Sequence, residues 1–319
     1  MGRTKKVMVI HSLDERNMSN IALDQKSGLY VDQESGRKFF LDDPDDLKSG
    51  EKLTFLLNLH GGGSHGIWQH LYFPAHDYKN KYHLVVATPT AKTKEPLRRW
   101  VAEADDEWLQ DIVNFVCDKY GKDRIKSFWL VGHSQGGMTS NRLLKTDFFS
   151  NRVDGWLSLS GGRIGPVEIS TSFFEGSERQ MPTPAPGSPA PGRAVMLDCD
   201  ISFIFSTGEL EIVKLPETSP WAEKYNAGSR VRMLDIVDTE KGQVTGATPG
   251  RGPSWGREAR PGTAEVFVFP NARGGRVIAD VVRLDKGHTE GYEPKITEEL
   301  IKMMVAAPGG KLMVLDRAG

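Results

Sequence analysis

The segment Gly132-His133-Ser134-Gln135-Gly136 has the pattern G-x-S-x-G and directly follows the apolar run FWLV at 128–131. A serine on a tight turn between a strand and a helix has its hydroxyl lifted clear of the sheet. Glycines flank it because side chains there would strike the neighbouring elements. Such a serine needs a base to take its proton, and the base needs an acid to orient it. Of the eight histidines only His288 follows Ser134, which makes it the base if the chain order is serine, acid, histidine. The acid is expected after the apolar run ISFIF at 201–205, where Ser206-Thr207-Gly208-Glu209-Leu210-Glu211 offers two glutamates and no aspartate. Glu211, three residues past Gly208, is preferred over Glu209, with Asp235, Asp238 and Asp285 as weaker competitors. His60-Gly61-Gly62-Gly63 follows the run LTFLLNL, and backbone this rich in glycine can aim amides at a developing oxyanion. Gly62 or Gly63, together with the amide of Gln135, are the expected donors, while His60 reads as a structural hydrogen-bonding residue of the loop.

These residues need a scaffold that brings them together. The runs at 53–59, 84–87, 128–131, 153–159 and 201–205 are short, apolar and bounded by Gly or Pro, the pattern of strands buried on both faces of a parallel sheet. Helical spacing appears between them: 105–120 carries acids in its first turn with Gly121 just past its end, and 135–146 follows the third strand. Alternating strand and helix predict an α/β class with a mostly parallel sheet. Two stretches interrupt the pattern. One, 170–192, contains MPTPAPGSPAPG; the other, 241–262, holds six Gly and three Pro. The catalytic pieces lie on both sides of these stretches. They are therefore read as insertions on the substrate side of one domain spanning 1–319, forming a lid or pocket wall. Residues 1–50, with strand-like pieces at 28–31 and 38–41, read as N-terminal lead-in strands.

Composition excludes several classes. The 41 Lys and Arg nearly balance 42 Asp and Glu, so no strong field favours nucleic acid or an anionic membrane. Two cysteines, Cys117 and Cys199, cannot build a disulfide framework. The apolar run at 7–10 is too short for a secretory leader, and no stretch is long enough to span a membrane. The expectation is a cytoplasmic protein with reduced thiols.

Other signals are weaker. His60, His65, His70, His76 and His83 crowd together but lack a metal-ligand frame, so no metal is expected. Trp68 and His133 could contact substrate, although packing explains Trp68, Trp100 and Trp108 equally well. Arg98-Arg99 reads as a solvated pair, and Asp105-Asp106 as charges at a helix start.

The stretches LLNLHGGG, WVAEADDEWLQDIVNFVCDKYGKDRIKSFWLVGHSQGGMTSNRLL and VDGWLSLSGG resemble the α/β-hydrolase superfamily. They are similar to its esterase branch, related to polyhydroxybutyrate depolymerases and feruloyl esterases. The paired Asp105-Asp106 and GHSQGG followed by Met138 carry this likeness, which spans roughly 50–165 and extends loosely through His288. It implies an α/β-hydrolase fold, with a mostly parallel central sheet flanked by helices, loop insertions near the active site and a Ser134–acid–His288 triad. The substrate is not fixed by it. Departures are a glutamate where the family has aspartate, no leader or disulfide, and a long 208–288 interval. The expected activity is hydrolysis of a small-molecule carboxylic ester through a covalent acyl-enzyme, without a cofactor. Amide, thioester or carbon–carbon hydrolysis by the same triad is the alternative, and a catalytically silent binding protein on this scaffold the more distant one.

Overall fold

The computed structural model describes residues 20–164, 168–170 and 194–315. The Pro-rich insertion lies outside the described residues except at its first residue, as do the first nineteen positions. In chain order the strands and helices are β1 (Ile21–Asp24), β2 (Leu29–Asp32), β3 (Lys38–Asp42), β4 (Leu53–Leu59), α1 (Gly66–Tyr72), α2 (Lys79–Tyr82), β5 (Leu84–Pro89), α3 (Ala102–Tyr120), β6 (Ile125–His133), α4 (Gln135–Leu143), α5 (Asp147–Ser150), β7 (Gly155–Leu159) and β8 (Glu168–Ile169). They continue as β9 (Ser202–Gly208), β10 (Ile212–Lys214), α6 (Pro220–Lys224), β11 (Val231–Arg232), β12 (Ile236–Asp238), β13 (Gly262–Val268), β14 (Ile278–Arg283), α7 (Pro294–Ala306) and α8 (Lys311–Val314).

The main sheet has the order β1-β2-β3-β5-β4-β6-β7-β9-β14-β13-β11, with β12 also paired to β13. Its centre, β5-β4-β6-β7-β9-β14, is parallel throughout. The flanks are antiparallel: β1, β2 and β3 on one side, β11, β12 and β13 on the other. β4 explains why the central runs are apolar without alternation. Its Phe55, Leu57 and Leu59 pack on the face covered by Trp108, Ile112 and Val116 of α3, while Leu56 packs on the opposite face with Ile296, Leu300 and Met304 of α7. Every residue of β4 is buried, and each fully buried Leu or Phe contributes about 1.5–3 kcal/mol.

The five central strands read from sequence are all present with small shifts in their ends. Sequence reasoning missed β1, α1 and α7. The last was readable, because Pro294 opens it and Ile296, Leu300, Ile301 and Met304 form its buried stripe. Between β11 and β12 the chain leaves the sheet at Met233 and Leu234, which are exposed. α3 begins at Ala102, three residues ahead of Asp105. Asp105 is fully buried: it accepts hydrogen bonds from the Val101 and Lys92 amides (2.8 and 3.0 Å) and pairs with Arg37 at 2.6 Å. It thus ties the helix start to the N-terminal hairpin, while Asp106 pairs with Arg142. No helix among the described residues is long and apolar enough to cross a membrane.

Candidate active site

Ser134 directly follows β6, has φ 51° and ψ −116° and sits at the N-cap of α4. A non-glycine residue held at positive φ stores backbone strain, and here the surroundings hold it in place. The Ser134 amide donates to the Leu159 carbonyl at 2.9 Å. A Cβ on Gly132 would collide with the backbone of Gly136, and one on Gly136 with the Leu59 carbonyl, so the turn closes only with glycine at both places. Gln135 opens α4, where amides lack intrahelical partners and the helix dipole favours negative charge.

The glycine loop packs directly on this turn. A Cβ at Gly61 would lie 2.6 Å from His133 Nδ1 and 3.3 Å from Ser134 Cβ, and one at Gly62 would touch the Gln135 side chain. Of the two expected oxyanion donors, Gly63 has its amide engaged within the fold, donating to the Arg98 carbonyl at 2.7 Å. His60 holds the loop from beneath. Its Nδ1 donates to the Gly61 carbonyl (2.7 Å), its Nε2 accepts from the Ala91 amide (3.0 Å), and its own carbonyl accepts from Trp100 Nε1 (2.8 Å).

Burial, only partly offset by the Gly61 hydrogen bond, pushes the His60 pKa down to about 4. The unfolded chain therefore takes up a proton below pH 6.5 that the folded protein refuses until about pH 4, and stability falls as pH falls through that window. This imidazole alone should cost about 3 kcal/mol across it. Denaturant unfolding at pH 7 and pH 4 should show a shallower loss in His60→Gln, which can still accept from the Ala91 amide but does not titrate. Parallel losses in the two proteins would overturn this.

Glu211 and His288, the expected acid and base, meet beyond the ends of β9 and β14. His288 Nδ1 donates to Glu211 Oε2 at 2.6 Å, with both side chains buried. Oε1 of Glu211 accepts from the Gly208 amide (2.7 Å), Ser160 Oγ (2.7 Å) and Thr207 Oγ1 (3.2 Å). Burial alone would raise the Glu211 carboxyl, but the His288 charge and these hydrogen bonds hold it below the usual carboxylate range. Glu209 is exposed and accepts from the Asp285 amide at 2.8 Å, bracing the loop ahead of the histidine. The other acids are engaged elsewhere: Asp235 with Arg232, Asp238 with the first amides of α7, and Asp285 with Arg257.

The backbone of His288 is fixed at both ends. Its amide donates to the Ser254 carbonyl (3.0 Å), and its carbonyl accepts from Tyr72 Oη (3.1 Å) and His133 Nε2 (2.9 Å). His133, expected as a possible substrate contact, is buried and bridges the serine turn and the histidine loop. Burial, reinforced by the charge of His288, keeps its pKa well below 6.5, so it stays neutral. Trp68 stacks on Tyr72 with centroids 4.5 Å apart and lies 5.2 Å from the His133 ring, which places it beside the site and half-buried. The 241–262 insertion, expected as a lid or pocket wall, is tied to the histidine loop. Besides the Ser254 contact, the Trp255 carbonyl accepts from the Thr289 amide (2.8 Å) and hydroxyl (2.9 Å), and the Trp255 ring lies 5.1 Å from that of His288.

Beneath the histidine loop lies a buried charge network. Arg283 pairs with Glu293 and donates to the Glu290 and Gly291 carbonyls (2.8 and 2.7 Å), and Lys286 pairs with Glu293 at 2.6 Å. Burial opposes the Arg283 charge, but Glu293 more than compensates and raises its pKa. Arg283→Met should lower the unfolding free energy by about 3–5 kcal/mol, because a buried carboxylate loses a partner and two carbonyls lose their donors. Chemical denaturation would check it, and a loss under about 1 kcal/mol would contradict the role.

The crowded histidines do not converge. His70 pairs with Asp42 (2.9 Å) and stacks on His76, and among the described residues no group of three His, Cys, Asp or Glu side chains could hold a metal ion. Arg98 donates to the Ala91 carbonyl at 2.7 Å and holds the loop rather than standing solvated.

The strands β6, β7, β9 and β14 are consecutive neighbours in the sheet, and their C-terminal ends deliver Ser134, Ser160, Glu211 and His288 to one edge. Ligand sites of open parallel sheets lie at that edge. No protein-family model matches the chain, and no curated protein matches it in sequence. Among solved structures, an acetyl xylan esterase from Aspergillus awamori aligns with 90% of this chain and 98% of its own, at TM-score 0.51 and 13% identity. An S-formylglutathione hydrolase from Staphylococcus aureus aligns with 59% of this chain and 78% of its own, at TM-score 0.37 and 15% identity. An esterase from Thermogutta terrifontis aligns with 61% and 73%, at TM-score 0.36 and 12% identity. With the sheet order, the first of these alignments shows that the chain has the α/β-hydrolase fold.

Proposed function

We propose that the protein is a serine hydrolase cleaving a carboxylic ester through Ser134, His288 and Glu211. The observation that carries this reading is the buried 2.6 Å contact of His288 Nδ1 with Glu211, at the sheet edge where Ser134 is held at positive φ. Ser134 Oγ attacks the ester carbonyl while its proton passes to His288 Nε2. Glu211, ionised and tied on its far oxygen, keeps the proton on Nδ1 and stabilises the imidazolium. The amides of Gly62 and Gln135 receive the oxyanion. His288 returns the proton to the leaving alcohol, and water then releases the acyl group by the same steps. The name of the Aspergillus awamori neighbour supports an ester as the bond cleaved. A cytoplasmic setting belongs to the same proposal, supported by a sequence with only two cysteines, too few for a disulfide framework. A fluorophosphonate probe followed by peptide mapping tests the reading: the label is expected on Ser134, and an unlabelled Ser134 in folded protein would sink it.

A further inference from the structure

Resting on that reading, we propose that Ser160 is a positioning residue that sets the orientation of the triad acid. Ser160 follows β7, between the strand ends that carry Ser134 and Glu211. Its Oγ donates to Glu211 Oε1 at 2.7 Å, on the oxygen opposite the one bound by His288. Its backbone sits at φ 48°, a conformation costly for serine, and its amide is anchored to the Ser206 carbonyl at 2.7 Å. A residue that glycine would suit better, placed so that only its hydroxyl touches the buried carboxylate, points to a role for that hydroxyl.

Glu211 needs this contact more than an aspartate would. A glutamate has one more rotatable bond between backbone and carboxylate, so its plane must be fixed by contacts at the far end. The Gly208 amide fixes one direction at 2.7 Å. Thr207 Oγ1 is less directed, because at 3.2 Å from Oε1 it also lies 3.4 Å from the Gly208 carbonyl, and its single proton cannot serve both. The short Ser160 contact therefore sets the carboxylate plane in which Oε2 meets His288 Nδ1.

The test removes the hydroxyl with glycine, which relieves the strain at φ 48° and keeps the fold. Ser160→Gly should keep or raise the thermal midpoint, leave KM for a short-chain nitrophenyl ester within about twofold, and lower kcat by about 10- to 100-fold. The rate of Ser134 phosphonylation by a fluorophosphonate should fall in parallel. In a Glu211→Gln background the same change should cost less than about twofold further, since the role assigned to Ser160 runs through the carboxylate and not through its other neighbour, Tyr72. Wild-type kcat in Ser160→Gly, or an equal fold-loss in both backgrounds, overturns the inference. A wild-type protein that neither turns over ester nor labels at Ser134 overturns the functional reading instead.

Discussion

Ser134→Ala should lower kcat/KM for a short-chain nitrophenyl ester by on the order of 10⁴- to 10⁶-fold. The size follows from what the variant removes and what it leaves. Alanine at φ 51° bears the same backbone strain as serine, so the turn, the Leu159 hydrogen bond and the start of α4 persist, and stability should barely change. Only the nucleophilic oxygen is lost. The Gly62 and Gln135 amides can still polarise a bound carbonyl, which leaves a residual rate above that of water. KM should move little because the alanine methyl still fills the space beneath the carbonyl. His288→Ala should cost a similar factor, and the double variant no more than either single, since a base without a nucleophile and a nucleophile without a base are equally idle. Turnover above about a tenth of wild type in a folded Ser134→Ala protein would remove Ser134 from the chemistry, whatever the other triad variants do.

Ser134 and His288 stand out in the sequence as candidates for different physical reasons. The serine turn is local: Gly132 and Gly136 are demanded by the few residues around them, so the chain segment carries its own explanation. The histidine was reached by elimination, with no competitor after Ser134. The central strands were legible because burial on both faces leaves an unbroken apolar run, as in β4 and β6. What stayed hidden depends on partners far apart in sequence. Gly63 looked as good a donor as Gly62 until the fold set Arg98 against its amide. His133 read as a possible substrate contact, and only the loop after β14 sets the His288 carbonyl against its Nε2. Ser160 sits in LSLSGG, a segment with no motif to mark it, and only the adjacency of β7 and β9 gives its hydroxyl a carboxylate. The 241–262 stretch shows the same limit. Its glycines carry no sign of their partners in the sequence, yet Gly242 and Gly246 closely approach the backbone at 290–292, and Gly256 packs against Gly246 and the Thr289 hydroxyl.

Glu211→Gln should lower kcat by roughly 10³- to 10⁴-fold, whereas Glu209→Gln should stay within about twofold of wild type. The amide cannot serve both sides of the site. If its oxygen faces His288 Nδ1, its NH₂ points at the Gly208 amide, which is itself a donor and cannot accept, and the Ser160 hydroxyl must turn round to accept. If the NH₂ faces His288 instead, the imidazole must place its proton on Nε2, and it can no longer accept from Ser134. In neither case does a negative charge remain to offset the imidazolium of the transition state. Glu209 differs because its exposed Oε2 accepts only from the Asp285 amide, a role that a glutamine oxygen fills equally well. Glu211→Asp should fall between the two: its charge survives, but the carboxylate withdraws by one methylene from a contact that is 2.6 Å long. Steady-state kinetics on the three variants, with circular dichroism to confirm folding, makes the comparison. A loss concentrated in Glu209→Gln, or equal losses in both glutamine variants, would reassign the acid.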